Sequence, residues 1–191
     1  MSRGFWSLLL VAAVLTSCKS KEEEACDQAK DAAFQAWATV AFRTDEDLRV
    51  SIELAQAVVK ANPPTPGDTD VGRALRYFDF ASRLGEYQKT SEALGLAVKD
   101  ARFQLGGDAS SKEAATKVEA ALAAHRTQAR QHIAGKNEGV DLGGDRQALE
   151  KQLSIAREVA ESDAKGELKK QVDAALAAHR AAVGACGAVT Q

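Results

Sequence analysis

Proline is almost missing from this chain. Its three copies all fall within Asn62-Pro63-Pro64-Thr65-Pro66-Gly67. Proline removes a backbone N–H and clashes with the preceding turn, so that stretch reads as a linker; nothing elsewhere forbids long helices. Aromatic residues are also scarce, 5% of the sequence, and none follows Phe103. Any core built beyond that point has to close through alanine and leucine. A surplus of one charge is absent: 25 basic residues face 27 acidic ones, a net charge of −2. That balance excludes a basic face for nucleic acid, so no nucleic-acid partner is expected. Period-2 alternation is lacking, which argues against sheet. So are G-x-S-x-G, a phosphate loop, H-E-x-x-H and a haem-attaching C-x-x-C-H. Without such a motif the expectation is a protein that is not an enzyme and carries no cofactor.

The N-terminus is informative. Met1-Ser2-Arg3 is a short cationic segment, and Phe5 to Leu15 is an apolar run interrupted only by Ser7. That run falls short of the ~20 apolar residues a spanning helix needs. It ends in Leu15-Thr16-Ser17-Cys18. This tetrad resembles the lipobox of bacterial lipoproteins, with small residues before an obligatory cysteine. The resemblance covers residues 1–18. It implies a cleaved signal peptide over 1–17, a diacylglycerol thioether on Cys18 and an acyl group, such as palmitate, on the new amino terminus. Several acyl chains, at ~0.8 kcal/mol per buried CH₂, hold a protein on a membrane without a spanning helix. The implied address is the cell envelope, facing the periplasm or the exterior. Lys19 is not the acidic residue that resembles an inner-membrane retention signal, which favours the outer membrane.

The chain has three cysteines. With Cys18 assigned to lipid, Cys26 and Cys186 remain. Export places them in an oxidising compartment, and a Cys26–Cys186 disulfide is expected. Residues 18–25, with Glu22, Glu23 and Glu24, read as the lipidated cysteine and a solvated tether. Residues 26–191 read as one domain.

The rest is rich in Ala, Glu, Lys, Gln and Arg, a helix composition. Phe34, Trp37, Ala41, Leu48, Ile52, Ala55 and Val59 follow 3–4 spacing and predict a first helix over about 27–61. Its one polar step, Thr44-Asp45-Glu46-Asp47, is able to cap a new helix. Tyr77, Phe80, Leu84, Tyr87, Ser91, Leu94, Val98, Ala101 and Leu105 predict a second helix over about 70–105. Gly106-Gly107-Asp108 stops it and caps a third, over about 110–134, with Val118, Leu122, His125, Ala129 and Ile133 on one stripe. A fourth follows from Asp145 to about 184. Its stripe runs Leu149, Leu153, Ala156, Ala160, Ala164, Leu168, Val172, Leu176, His179 and Val183, with a stutter at Ala164.

An internal echo crosses this pattern. Val118 to Arg126 (VEAALAAHR) returns as Val172 to Arg180 (VDAALAAHR). It is either a duplicated helical hairpin or an Ala-rich coincidence. A true duplication predicts a turn near Ser162 to Gly166, whereas the stripe predicts a continuous helix. The disulfide weighs between them. A helix of ~36 residues is ~54 Å long, so the two cysteines meet only after an even number of traversals. The expected fold is therefore all-α, an up-down-up-down antiparallel four-helix bundle with long helices. In it Trp37 is expected near Leu94, with Gly95 making room for the indole, and Ile52 near Phe80.

Candidate chemistry is thin. His125 and His132 lie seven residues apart, ~10.5 Å along one helix, too far to share a metal. His125 and His179 occupy equivalent places in the echo, and a bis-histidine haem or zinc site between them is conceivable. The plainer expectation is a pair of boundary histidines bonded outward, and no metal. The loop Asn137 to Asp145 gathers oxygen donors but lacks the EF-hand order. Ser162-Asp163-Ala164-Lys165 matches S-x-x-K without its partner motifs and reads as helical surface. The preferred function is a membrane-anchored envelope lipoprotein that binds a protein partner through the Ala-rich face of its third and fourth helices. The alternative is a carrier of a small ligand, metal or haem in the bundle interior.

Overall fold

A computed structural model describes residues 20–61, 67, 78–135 and 146–189. The expected signal peptide, Cys18, the prolines and the loop Asn137 to Asp145 lie outside the described residues. Five helices and no strand are found among them: α1 (Lys21–Ala61), α2 (Phe78–Phe103), α3 (Ala109–Ala134), α4 (Arg146–Lys165) and α5 (Glu167–Val189). They pack as a helical bundle. No described helix is long and apolar enough to cross a membrane.

Helix α1 starts earlier than its apolar stripe. Ser20 Oγ accepts from the Glu23 N–H at 3.1 Å, and the Glu23 carboxylate accepts from the Ser20 N–H at 2.8 Å. This reciprocal cap satisfies two orphan donors and makes Lys21 to Ala25 the first residues of the helix. At the other expected cap, Thr44 Oγ1 donates to the Ala41 carbonyl at 3.0 Å, and α1 runs on unbroken.

The inward face of α1 corrects the sequence reading. Past Ala41 it carries Thr44, Asp47, Val50, Ser51, Leu54, Val58 and Ala61. Ile52 and Val59, expected in the core, are 42% and 65% exposed. The helical period continues straight through the polar step. The expected stripe resumed at Leu48, whereas the period running through Thr44 and Asp47 leads to Val50, Ser51 and Leu54.

The stripe of α2 is buried as expected from Phe80 to Leu105. Its register on α1 differs. Phe34 meets Phe103 at 5.9 Å between ring centroids, a Cβ on Gly95 would sit 3.6 Å from Thr44 Oγ1, and Gln88 donates to the Ser51 carbonyl. The room at Gly95 serves Thr44 and not Trp37, an offset of about two turns. The tight link to α3 is capped by Asp108, which accepts from the Ser111 N–H at 3.1 Å.

The expected fourth helix is two. Gly166, at φ +99°, ends α4 and starts α5. Its N–H donates to the carbonyls of Ser162 and Asp163, and its own carbonyl accepts from Lys170. Left-handed backbone of this kind favours glycine, which has no Cβ to clash. The interruption resets the phase: Asp163, not Ala164, points inward before it, and Leu168 and Val172 follow after it. The two helices barely touch each other, and both lie along α1. Leu149 and Ala156 of α4 pack with Val50, Leu54 and Val58. Leu168, Val172 and Leu176 of α5 pack with Ala33, Trp37 and Val40. At the far end Cys26 and Cys186 form the expected disulfide, with a Cα–Cα distance of 4.8 Å.

Candidate functional site: a buried polar layer

The core is divided. A larger apolar cluster fills the disulfide end, and a smaller one, around Leu54, Phe80 and Leu149, fills the other. Between them lies a layer of polar side chains drawn from α1, α2, α3 and α4. Asp47, Ser91, His125 and Asp163 are each no more than 1% exposed.

Asp163 is the hub. Its Oδ2 accepts from the Tyr87 hydroxyl at 2.9 Å and lies 3.0 Å from His125 Nε2. Its Oδ1 accepts from Arg43 Nη2 at 3.0 Å. Arg43 also pairs with Asp47, one turn along α1. The second oxygen of Asp47, Oδ2, is buried without a hydrogen-bond partner and lies 4.0 Å from His125 Nε2. The helices explain the convergence. Arg43 and Asp47 share a face of α1 at i, i+4 spacing. Tyr87 and Ser91 share one on α2 in the same way. Asp163 continues the inward stripe of α4, three residues after the buried Ala160.

Hydrogen-bond roles around His125 follow from its neighbours. Ser91 Oγ gives its one proton to the Tyr87 carbonyl at 2.9 Å, and Thr90 Oγ1 is committed to the Glu86 and Tyr87 carbonyls. Both hydroxyls therefore face His125 Nδ1, at 3.4 and 3.5 Å, as acceptors. Each ring nitrogen of His125 thus faces an oxygen on a neighbouring helix. The layer sets Arg43 and His125 against two carboxylates, Asp47 and Asp163. Balanced in this way, the charges tolerate burial that an isolated one would not.

Tyr87 lies between two imidazoles, with ring centroids 5.0 Å from His125 and 5.4 Å from His132. Burial, with Asp163 beside it, raises its hydroxyl far above the ordinary tyrosine range, so it stays a donor. Burial, then the nearby positive charge of Arg83, pushes the His132 imidazole down to about 4. His132 and Phe80 also line a cavity of about 290 Å³ together with Leu54, Leu153 and Arg157.

The expected candidates separate. His125 and His179 are both fully buried, not boundary residues bonded outward. They also belong to different networks. His179 Nδ1 accepts from the Trp37 indole at 3.1 Å, and its Nε2 donates to the Ser111 carbonyl at 2.8 Å. Both nitrogens are engaged within the protein, which leaves none for a metal or haem shared with His125. Equivalent places in the echo have acquired different partners.

Three residues of the layer escaped the sequence reading. Asp47 lay in the polar step of α1, Asp163 in the stretch read as helical surface, and Arg43 in no motif. The signal was present as coincidence of level: polar inward positions on α1, α2 and α3 at one height in an antiparallel stack. Recognising it needs the register, which the sequence had offset.

In chemical terms the layer locks register, because any slip strands a charge in apolar surroundings. It also brings together three metal-ligating residues, Asp47, His125 and Asp163, with one ligand atom of each within 4.8 Å of the others. No family model matches the chain, and neither a curated protein nor a solved structure shows significant similarity to it.

Proposed function

We propose that this chain is an envelope lipoprotein: a helical domain tethered by lipid on Cys18 that binds a protein partner and is not an enzyme. Support for the tether comes from the lipobox-like Leu15-Thr16-Ser17-Cys18. The Cys26–Cys186 disulfide suits export to an oxidising compartment. Helices α4 and α5 act in this reading as two halves of one rod, so the bundle is up-down-up-down with four antiparallel rods.

The observation that carries the binding role is the weak packing of α3 against α5. Between them runs an open groove of about 380 Å³ with Leu122 and Leu176 in its floor. Arg126, Lys169 and Asp173 line its rim, and an Arg180–Glu119 ion pair at 2.7 Å crosses it. A narrow apolar floor with charged rims suits an amphipathic helix presenting apolar residues at i, i+3 and i+4. The small Ala123 lets such a helix approach closely.

Two measurements test this. Metabolic labelling with a palmitate analogue should mark the wild-type chain and not C18S. A photo-crosslinker at Ala123 should capture one partner in intact cells, and R126E together with K169E should abolish the capture. An unlabelled wild-type chain that still carries residues 1–17 overturns the tether. Capture unchanged by the rim substitutions overturns the groove.

A further inference from the structure

We propose that Asp47, His125 and Asp163 form a site for a divalent transition-metal ion, with Arg43 as the resident cation that the metal displaces. This goes beyond the partner-binding reading and does not depend on it. Two carboxylates and an imidazole form a donor set suited to Zn²⁺, Mn²⁺ or Fe²⁺; the nitrogen ligand disfavours Mg²⁺ and Ca²⁺.

Geometry comes first. Metal–ligand bonds of ~2.1 Å place neighbouring ligand atoms roughly 3.0–3.4 Å apart. His125 Nε2 and Asp163 Oδ2 are 3.0 Å apart already, and Asp47 Oδ2 is 4.0 Å from the same nitrogen. All three ligand atoms lie within 4.8 Å of one another, and a side-chain shift of about 1.5 Å in Asp47 completes the triad. The second observation is the state of Asp47 Oδ2. It is fully buried, faces the imidazole and has no hydrogen-bond partner. Buried carboxylate oxygens without a donor are costly and are explained most simply by a cation.

The surrounding shell is in place. Ser91 and Thr90 accept from His125 Nδ1, which fixes the ring and directs Nε2 to the ion. Tyr87 holds Asp163 Oδ2 from the other side. Arg43 is the only member of the charged quartet with appreciable exposure, 19% against 1% or less for its partners. Rotated outward, it would leave the two carboxylates to the ion and open the way from solvent. The ion's two positive charges then face the two carboxylates that Arg43 leaves, and a proton on Nε2 is released to solvent when the nitrogen binds.

The test uses the full chain, stripped with chelator and titrated with Zn²⁺ or Mn²⁺, with bound metal measured after dialysis. One equivalent should bind to the wild type. D47N and H125Q should each weaken binding by tenfold or more, and R43M should tighten it by tenfold or more. A purely structural network would gain nothing from R43M. A reading without substitution guards against variants that fail to fold: in the wild-type chain, Mn²⁺ should broaden the imidazole resonances of His125 before those of His179. The proposal is overturned if wild type and R43M bind no stoichiometric metal. Retained affinity in folded H125Q, or equal broadening of both histidines, overturns it too, because the ion then binds elsewhere.

Discussion

Replacing Asp163 with asparagine should be among the most damaging near-isosteric changes available in this protein. The side chain is fully buried and accepts from three donors, Tyr87 at 2.9 Å, His125 at 3.0 Å and Arg43 at 3.0 Å. Asparagine keeps the shape but has one oxygen and one NH₂ group. At least one of the three donors then faces another donor. The anion is lost as well, which leaves Arg43 and His125 with Asp47 alone. Breaking a buried pair by removing one partner costs about 3–5 kcal/mol, and D163N should fall in that range. Y87F removes one hydrogen bond to a charged acceptor and should cost about 1.5–3 kcal/mol. The two changes share a contact, so in a double-mutant cycle Y87F should cost clearly less in the D163N background. D173N, which breaks the exposed pair with Lys169, should cost under about 0.5 kcal/mol. Urea unfolding followed by circular dichroism, in chelator, measures all five chains, the wild type and the double variant included. A D163N cost below about 1 kcal/mol at unchanged m-value would refute the account of the layer as a closed charge network.

Other outcomes follow from the same structure. Reducing the disulfide, or making C26S with C186S, reopens a 160-residue separation and should lower stability by about 5 kcal/mol on the entropic model. Its readout is a thermal midpoint lower by roughly 10–20 °C. The His132 imidazole is held down to about 4 from an ordinary 6.5. Between those values the unfolded chain binds a proton that the folded chain refuses, so this contribution is complete above about 6.5 and is lost as pH falls toward 4. Its size is about 3 kcal/mol, and H132F should flatten that part of the stability-versus-pH curve. A Cβ at Gly107 would lie 2.8 Å from the Gly187 backbone nitrogen. G107A should therefore cost about 1–3 kcal/mol by forcing the α2–α3 turn off the end of α5, and an unchanged urea midpoint would show that the turn yields freely.

Much of the fold was legible because helix signals are local. The inward faces of α2 and α3 were read correctly: their apolar residues keep one period without interruption, and Asp108 caps at the expected place. The disulfide was legible from cysteine count and its two terminal positions. Two errors share one cause. Thr44, Asp47 and Asp163 are polar residues on inward faces, where a stripe traced through apolar residues loses its phase. That shifted the phase of α1 after Ala41, put Ile52 and Val59 inside, and read the stretch around Asp163 as surface. The break at Gly166 is a different case: the echo predicted a turn near Ser162 to Gly166, and the continuous apolar stripe was preferred to it.

The sequence by itself determined the all-helical class, the cap at Asp108, the linker composition and the pairing of the two cysteines, because each depends on near neighbours or on simple counting. Only the tertiary structure decided which polar residues face one another. Burial of a charge is permitted by partners on other helices, and those partners are set by register, a property of the packed bundle and not of any single segment. His125 and His179 show the difference: nearly the same nine residues surround each in sequence, yet one joins a charged quartet and the other a tryptophan and a carbonyl.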